Sequence, residues 1–174
     1  MSNRVASPLK LNLGCGDDIK QGWLNVDYRP GEMGVRGDVV EPDEMHDLNE
    51  TPWPWPDDSA ERILLDNVLE HLVDPVEAMK EAIRVLAPGG RLEIVAPYPN
   101  NPSSARLDHT RQMHPVEFLK DGDWLFPELS VVDWSVSRVR VGRLLPSDRF
   151  ALWVCDTFGL FGIDSWTVVL EVQR

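Results

Sequence analysis

The sequence predicts one α/β domain built on a mostly parallel sheet with helices on both faces. An apolar strand from Leu9 to Leu13 runs into a glycine turn, and a second strand ends on the acid Asp27. A continuous apolar strand, Arg62 to Asn67, precedes a helix that begins at Asp74-Pro75. Strands that alternate with helices favour a parallel sheet, and 174 residues fit a single domain spanning 1–174.

The composition excludes several classes of protein. The net charge of −12 and the pI near 4.6 argue against nonspecific binding to nucleic acid or anionic membrane, which needs a basic face. No apolar run approaches the roughly 20 residues of a membrane helix, and the N-terminus lacks a signal-peptide core. The two cysteines, Cys15 and Cys155, suggest neither a disulfide framework nor a zinc site. We therefore expect a cytoplasmic protein without a metal, and the oligomeric state stays open.

The glycine turn and the acid that follows it predict a ligand site. Gly14 and Gly16 allow positive φ and a close approach of a ligand to the backbone. Asp27 ends the second strand, and ligands of open α/β sheets bind outside the carboxyl ends of strands. A carboxylate there can accept hydrogen bonds from both hydroxyls of a ribose. Asp27 comes only 11 residues after Gly16, so the first crossover helix must be very short or replaced by a loop.

The other elements follow in order. Asp74 is an N-cap acid with proline at the first helical position, and Pro88-Gly89-Gly90 is expected to stop that helix. Thr51 to Ser59 cannot be helical because of its three prolines. The remaining expected elements are a third strand near Val39-Val40 or Met45 to Leu48, strands at Arg91 to Ala96, Val131 to Val141 and Trp166 to Val172, and helices at Pro115 to Lys120 and within Pro146 to Gly162.

Four segments taken together point to a family. The segments are LNLGCG, Asp27, LEHL (residues 69–72) and LAPGGRLEI. In this order they resemble class I S-adenosylmethionine-dependent methyltransferases, and most of all the small type 11 group. The resemblance covers Leu9 to about Leu119. It implies a Rossmann-like three-layer sandwich whose seven-stranded sheet is parallel except for its antiparallel last strand, here with a shortened first crossover. It also implies S-adenosylmethionine as the cofactor.

The resemblance assigns cofactor roles to residues at the strand ends. The glycine turn would lie under the methionine part of the cofactor, Asp27 would hold the ribose, and Asp47 would contact the adenine with Leu48 packed on the ring. For Asp47 the alternative is a cap on the turn to Asn49, since both residue types favour turns. The predicted cofactor-binding residues are Asn12, Gly14, Cys15, Gly16, Asp27, Asp47, Leu48, Asp66 and Asn67.

Catalytic and substrate residues are expected in the LEHL segment and in the loop Pro97 to His114. Histidine titrates in the range useful for a base, so His71, His109 and His114 are the catalytic candidates. Tyr98, His109 and Arg111 are the substrate candidates, because a long loop after a central strand is usually functional or mobile. The alternatives are a packed LEHL segment with a surface His71, and a loop that is only braced.

The sequence thus predicts methyl transfer from S-adenosylmethionine to a small-molecule or protein acceptor that it does not identify. Two alternatives stay open: a noncatalytic binding subunit with the same fold, and a nicotinamide-binding oxidoreductase. The GxGxxG spacing of the latter is missing. For Trp53 and Trp55 a structural role that closes the sheet edge is favoured over stacking on the cofactor.

Overall fold

Seven strands form one sheet in this computed structural model, which describes residues 9–29, 39–120, 122–139, 142–159 and 162–174. The strands are β1 (Leu9–Leu13), β2 (Leu24–Asp27), β3 (Glu44–Met45), β4 (Ala60–Asp66), β5 (Leu86–Pro97), β6 (Leu129–Arg138) and β7 (Ile163–Val172). Their order across the sheet is β3-β2-β1-β4-β5-β7-β6. The predicted lead-in from Met1 to Pro8, the middle of the predicted loop Tyr28 to Pro42, and Arg140 and Val141 of the predicted sixth strand lie outside the described residues.

The sheet confirms the predicted fold class. Neighbouring strands from β3 to β5 pair in parallel. The last strand, β7, lies between β5 and β6 and runs antiparallel to both. Strand β7 is therefore paired on both sides, and its inward side chains are large and apolar, with Trp166 and Val168 completely buried.

The first crossover is short, as expected. Residues 14–23 connect the parallel strands β1 and β2 through turns and contain no helix. A buried amide pair takes the place of helix packing: Nδ2 of Asn12 donates to Oδ1 of Asn25 at 2.9 Å and to the carbonyl of Asp18 at 2.8 Å. Oδ1 of Asn25 also accepts from the N–H of Lys20 at 2.8 Å. The connection is therefore held by polar contacts.

Helix α1 (Pro75–Val85) begins where the sequence predicts. The carboxylate of Asp74 accepts a hydrogen bond from the N–H of Glu77, and proline occupies the first turn. Its predicted end was wrong, because the helix stops at Val85 and not at Pro88-Gly89-Gly90. Leu86 is already extended and pairs with Ala60 of β4, so the following prolyl-glycine turn lies inside β5 as a register shift.

The remaining helices are α2 (Val116–Leu119), α3 (Gly122–Leu125) and α4 (Asp148–Phe158). Helix α2 confirms the expected helix at Pro115 to Lys120, and α4 occupies most of the segment expected to hold a short helix. The third strand is shorter than expected: it comprises Glu44 and Met45 alone, and ends before His46. Among the described residues no helix is long and apolar enough to cross a membrane.

Both faces of the sheet are covered. In β4, Ile63, Leu64 and Leu65 are all buried. Because consecutive strand residues point to opposite faces, their burial means that both faces are covered. The proline-rich segment closes one part of this core, since Trp53 and Trp55 are buried and the indole N–H of Trp53 donates to the carbonyl of Leu48 at 3.2 Å. The tryptophans therefore pack as part of the core, in agreement with the favoured structural role.

Candidate functional site

A cavity of about 680 Å³ opens at the carboxyl ends of the central strands. Gly14 after β1, Asp27 at the end of β2, Asn67 after β4 and Pro97 at the end of β5 all line it. This position agrees with the rule for open α/β sheets, and the volume lies within the usual range of about 300–1,000 Å³ for ligand pockets. The cavity is therefore the candidate ligand site.

The glycine turn and Asp27 form one unit. The N–H of Gly16 donates to Oδ2 of Asp27 at 2.9 Å. The N–H groups of Gly14 and Cys15 both donate to the carbonyl of Val26, at 2.8 and 3.0 Å. Asp27 is only 9% exposed, yet its carboxylate borders the cavity and keeps acceptor capacity there. The turn thus holds the acid in place.

Gly14 is required by packing as well as by backbone conformation. Its φ is +68°, and a Cβ at this position would lie 2.5 Å from Cγ2 of Val68. Gly16 has φ +52°, and a Cβ there would meet nothing within 4 Å. A side chain at Gly14 therefore collides with the protein, whereas the space beside Gly16 is open.

Asp47 and Leu48 line the same cavity beyond Asp27. Oδ1 of Asp47 accepts the backbone N–H of Asn49 and its side-chain amide, both at 2.9 Å. The turn-capping interpretation is thus realised, and it uses one carboxylate oxygen. A cofactor role for the other oxygen stays a prediction.

Asp66 and Asn67 differ in their placement. Asn67 lines the cavity and adopts φ 54°, a left-handed conformation that asparagine tolerates, while its N–H donates to the carbonyl of Val95 at 2.9 Å. Asp66 does not line the cavity and accepts from the amide of Asn67 at 2.7 Å. The cofactor contact expected for Asp66 stays a prediction.

Two other predicted cofactor residues also lie away from the cavity. Asn12 is buried, and both hydrogens of its amide are used by Asn25 and Asp18. Cys15 is buried too, and desolvation, with the nearby charge of Asp27, raises the pKa of its thiol to about 11. Neither residue lines the cavity, and cofactor binding by Asn12 and Cys15 stays a prediction.

Two of the three candidate histidines meet at the cavity. His71, in a 3-10 turn that spans Leu69–His71, and His109, in the loop after β5, both line the cavity. Their rings contact edge to face with centroids 4.6 Å apart. Desolvation and the neighbouring His71 lower the pKa of His109. His109 therefore presents a neutral imidazole to the cavity at neutral pH.

The loop after β5 is tethered to the LEHL turn. The N–H of Thr110 donates to the carbonyl of Glu70 at 2.7 Å, and its hydroxyl donates to the carbonyl of Leu72 at 2.7 Å. Asn101 fixes the loop at its other end, since its amide donates to the carbonyl of Asp164 at 2.9 Å. These contacts describe a braced wall of the cavity, as the alternative interpretation of the loop expected.

The other loop candidates point elsewhere. Tyr98 is buried and donates to the carboxylate of Asp156, which also pairs with Nε2 of His114 at 3.0 Å. Arg111 pairs with Glu117 at 2.6 Å. None of the three lines the cavity, and roles for Tyr98 and Arg111 in substrate binding and for His114 in catalysis stay predictions.

Sequence reasoning missed several residues of the site. Arg106 and Asp108 line the cavity and pair with each other at 3.0 Å, and Ser103 lines it beside them. Glu70 belongs to the LEHL segment in which site residues were expected; it is 1% exposed and does not line the cavity. The sequence places Ser103, Arg106 and Asp108 in the long loop after β5, which is the only indication that they belong to the site. Their contacts depend on how this loop meets the LEHL turn.

The family comparison identifies the central part of the chain. Residues 11–94 match the family model described as a methyltransferase domain. The match spans β1 to β5 and thus includes the glycine turn, Asp27 and the LEHL turn. The predicted family resemblance is therefore confirmed.

Two curated relatives cover part of the chain. A Mycolicibacterium smegmatis protein, named a probable S-adenosylmethionine-dependent methyltransferase, is 28% identical over an alignment of 131 residues that covers 67% of this chain and 51% of that protein. An uncharacterized 37.1 kDa protein in transposon TN4556 of Streptomyces fradiae is 43% identical over an alignment of 106 residues that covers 50% of this chain and 29% of that protein. The chain thus spans about half the length of the first relative and less than a third of the second.

Solved structures agree on the fold. A SAM-dependent methyltransferase from Archaeoglobus fulgidus matches with a TM-score of 0.61 at 16% identity, over 95% of this chain and 86% of its own. The [4+2]-cyclase SpnF matches with the same TM-score of 0.61, also at 16% identity, over 96% of this chain and 75% of its own. The second match shows that this fold also serves a cyclase, so the fold alone does not name the reaction.

Proposed function

Residues 11–94 match a methyltransferase domain, and on that premise we propose that the protein transfers a methyl group from S-adenosylmethionine to a polar acceptor. The observation that carries the proposal is the cavity, which is lined by Gly14, Asp27 and Asp47 and also by His71 and His109. The first three residues suit the cofactor. The part of the lining around the two histidines, here called the acceptor wall, suits an acceptor.

The residues present fit the cofactor. A carboxylate at the end of β2 is the acceptor that ribose hydroxyls need, and Asp27 is held in place by the N–H of Gly16. Asp47 and Leu48 offer a polar and an apolar contact next to it, which suits an adenine ring. The open space beside Gly16 allows a ligand to approach the backbone of the turn. We therefore assign ribose, adenine and methionine binding to these three groups.

S-adenosylmethionine supplies an electrophilic methyl group when it is bound. The task of the protein is to align the acceptor with it, because orientation alone accounts for a large part of such catalysis. His71 and His109 face the cavity with rings in contact, and the lowered pKa of His109 leaves it able to accept a proton at neutral pH. We propose His109 as the base and His71 as the group that positions it.

The acceptor wall favours a polar molecule. Arg106, Asp108 and Ser103 line it together with the two histidines. The loop that carries them is braced by Thr110 and Asn101, so the wall is formed before the acceptor arrives. A small molecule and a protein side chain both stay possible acceptors, and the cytoplasmic location stays a prediction.

Calorimetry tests the proposal. Titrations of the purified protein with S-adenosylmethionine, S-adenosylhomocysteine and NAD should show binding of the first two only. Binding of NAD alone would overturn the proposal, although the family match already argues against it. Binding of none of the three would favour the noncatalytic alternative. Turnover is then sought by screening hydroxyl and amine acceptors for S-adenosylhomocysteine release, with His109→Gln as the matched inactive variant.

A further inference from the structure

A group of potential metal ligands lies at the acceptor wall. Glu70, His71 and His109 each offer one ligand atom, and these atoms lie within 4.8 Å of one another. Glu70 and His71 are adjacent in the chain, whereas His109 comes from the loop after β5. The bonds from Thr110 to the carbonyls of Glu70 and Leu72 hold the two segments together.

The carboxylate of Glu70 is buried without a partner. The residue is 1% exposed, and neither carboxylate oxygen has a hydrogen bond to any described residue. A buried carboxylate that lacks a partner is costly, and buried charges in proteins are normally paired or bound to a metal. Its position near the two imidazoles therefore suits a bound cation.

The two histidines are oriented as metal ligands usually are. Nδ1 of His71 lies 3.1 Å from the carbonyl oxygen of Asp108, and Nδ1 of His109 lies 3.2 Å from that of Ser104. A carbonyl oxygen can only accept, so each Nδ1 must carry the hydrogen and each Nε2 keeps its lone pair. Donation of the second ring N–H to a backbone carbonyl is the typical outer-shell contact of a metal-bound histidine.

We propose that Glu70, His71 and His109 bind one divalent transition-metal ion, with zinc as the best match. Two imidazole nitrogens and one carboxylate oxygen form the ligand set of catalytic zinc sites, which keep at least one position open. His71 and His109 line the cavity, so an ion bound there would be accessible from it.

This site would also select the acceptor, an extension that rests on the proposed function. A cation at the acceptor wall favours an acceptor that binds it through oxygen, such as a hydroxyl group. Zinc lowers the pKa of a water molecule bound to it, and we expect the same for a bound hydroxyl group. His109 then acts as a ligand, and the base role proposed for it above applies to the metal-free protein. The metal site itself is independent of the reaction.

The test is a zinc titration of the whole, metal-stripped chain against a chromophoric chelator. The wild type should bind one Zn²⁺ per chain, and Co²⁺ should give a visible absorption band. His71→Ala, His109→Ala and Glu70→Gln should each weaken Zn²⁺ binding by at least about tenfold. His114→Ala is the matched control, because this histidine pairs with Asp156 outside the cluster.

Two results would overturn the proposal. One is a wild type that binds Zn²⁺ no more tightly than His109→Ala does. The other is a His114→Ala variant that loses as much affinity as the cluster variants. Circular dichroism identifies any variant that fails to fold, and the remaining cluster variants then decide. Titration of the same samples with S-adenosylhomocysteine separates the two proposals, since cofactor binding without zinc binding contradicts the metal site alone.

Discussion

The N–H of Gly16 donates a 2.9 Å hydrogen bond to Oδ2 of Asp27, which joins the end of the glycine turn to the end of β2. The two residues are 11 positions apart, with no helix between them. The bond holds the carboxylate at the cavity before any ligand binds. A ribose therefore meets an acceptor whose orientation is already set, which lowers the cost of binding.

Asp27→Ala should weaken binding of S-adenosylhomocysteine by about 1.5–3 kcal/mol, the scale of hydrogen bonds to a charged group. Asp27→Asn is the matched variant, because its amide oxygen still accepts from Gly16 and only the charge is lost. The affinity of Asp27→Asn for S-adenosylhomocysteine should lie between the affinities of the wild type and of Asp27→Ala. Calorimetry measures both, and unchanged affinity in two folded variants would exclude Asp27 as the ribose ligand.

Gly14→Ala should destabilise the fold by about 1–3 kcal/mol, because the new Cβ collides with Val68 and the left-handed backbone disfavours alanine. The double variant Gly14→Ala, Val68→Ala removes the colliding methyl groups. Denaturant unfolding of the four proteins in this cycle should show that the two changes are coupled. Strictly additive effects would mean that the turn shifts away from Val68 without cost.

Asn12→Asp should destabilise the protein by about 1–3 kcal/mol. The resembled family often has an acid at this position, but here the amide donates to Asn25 and Asp18. A carboxylate would lose both bonds and face an oxygen of Asn25. Thermal unfolding at pH 7 measures the loss, and Gln21→Glu at an exposed turn is a control for the change from amide to carboxylate. A stable Asn12→Asp variant would show that the short crossover does not depend on this amide.

Thr110→Val should loosen the loop after β5 with little change in volume. Valine cannot donate to the carbonyls of Glu70 and Leu72, so the side-chain part of the tether is lost. Hydrogen exchange of the amides from Leu107 to Gln112 should become faster, while exchange in α1 stays unchanged. If exchange in this loop is the same in both proteins, the hydroxyl of Thr110 is not what holds the wall.

Acid should weaken the contact between α1 and the proline-rich segment, Thr51 to Ser59. Glu81 accepts from Arg84 at 2.7 Å and from the N–H of Trp53 at 2.6 Å, and the bond from Arg84 is the main reason that the pKa of Glu81 is lowered. A carboxyl whose pKa is lower in the folded than in the unfolded state stabilises the fold above its unfolded pKa. That stability is lost as the pH falls through the folded pKa.

Glu81→Gln should therefore be less stable than the wild type at pH 7, by about 1–3 kcal/mol, and the difference should shrink as the pH is lowered below 4.5. Denaturant unfolding at a series of pH values gives the difference directly. A gap between the two proteins that stays constant to pH 3 would show that Glu81 titrates normally in the folded state.

Sequence reasoning was most accurate where the signal is local. Asp74-Pro75 starts a helix because a cap and a proline act within one turn, and the strand, glycine turn and second strand around Asp27 follow from neighbouring residues. The order of these segments was enough to identify the family and with it the sheet, including the antiparallel β7. The end of α1 was misplaced because pairing of Leu86 with Ala60 outweighs helical periodicity.

Only the tertiary structure decided which polar residues face the cavity. Tyr98 and His114 carry suitable chemistry, but both are turned toward Asp156 on α4, which is more than 40 residues further along the chain. His71 and His109 come together across a similar distance because Thr110 bonds to the backbone of the LEHL turn. The direction of a side chain depends on such long-range contacts, which cannot be inferred from residue type and spacing.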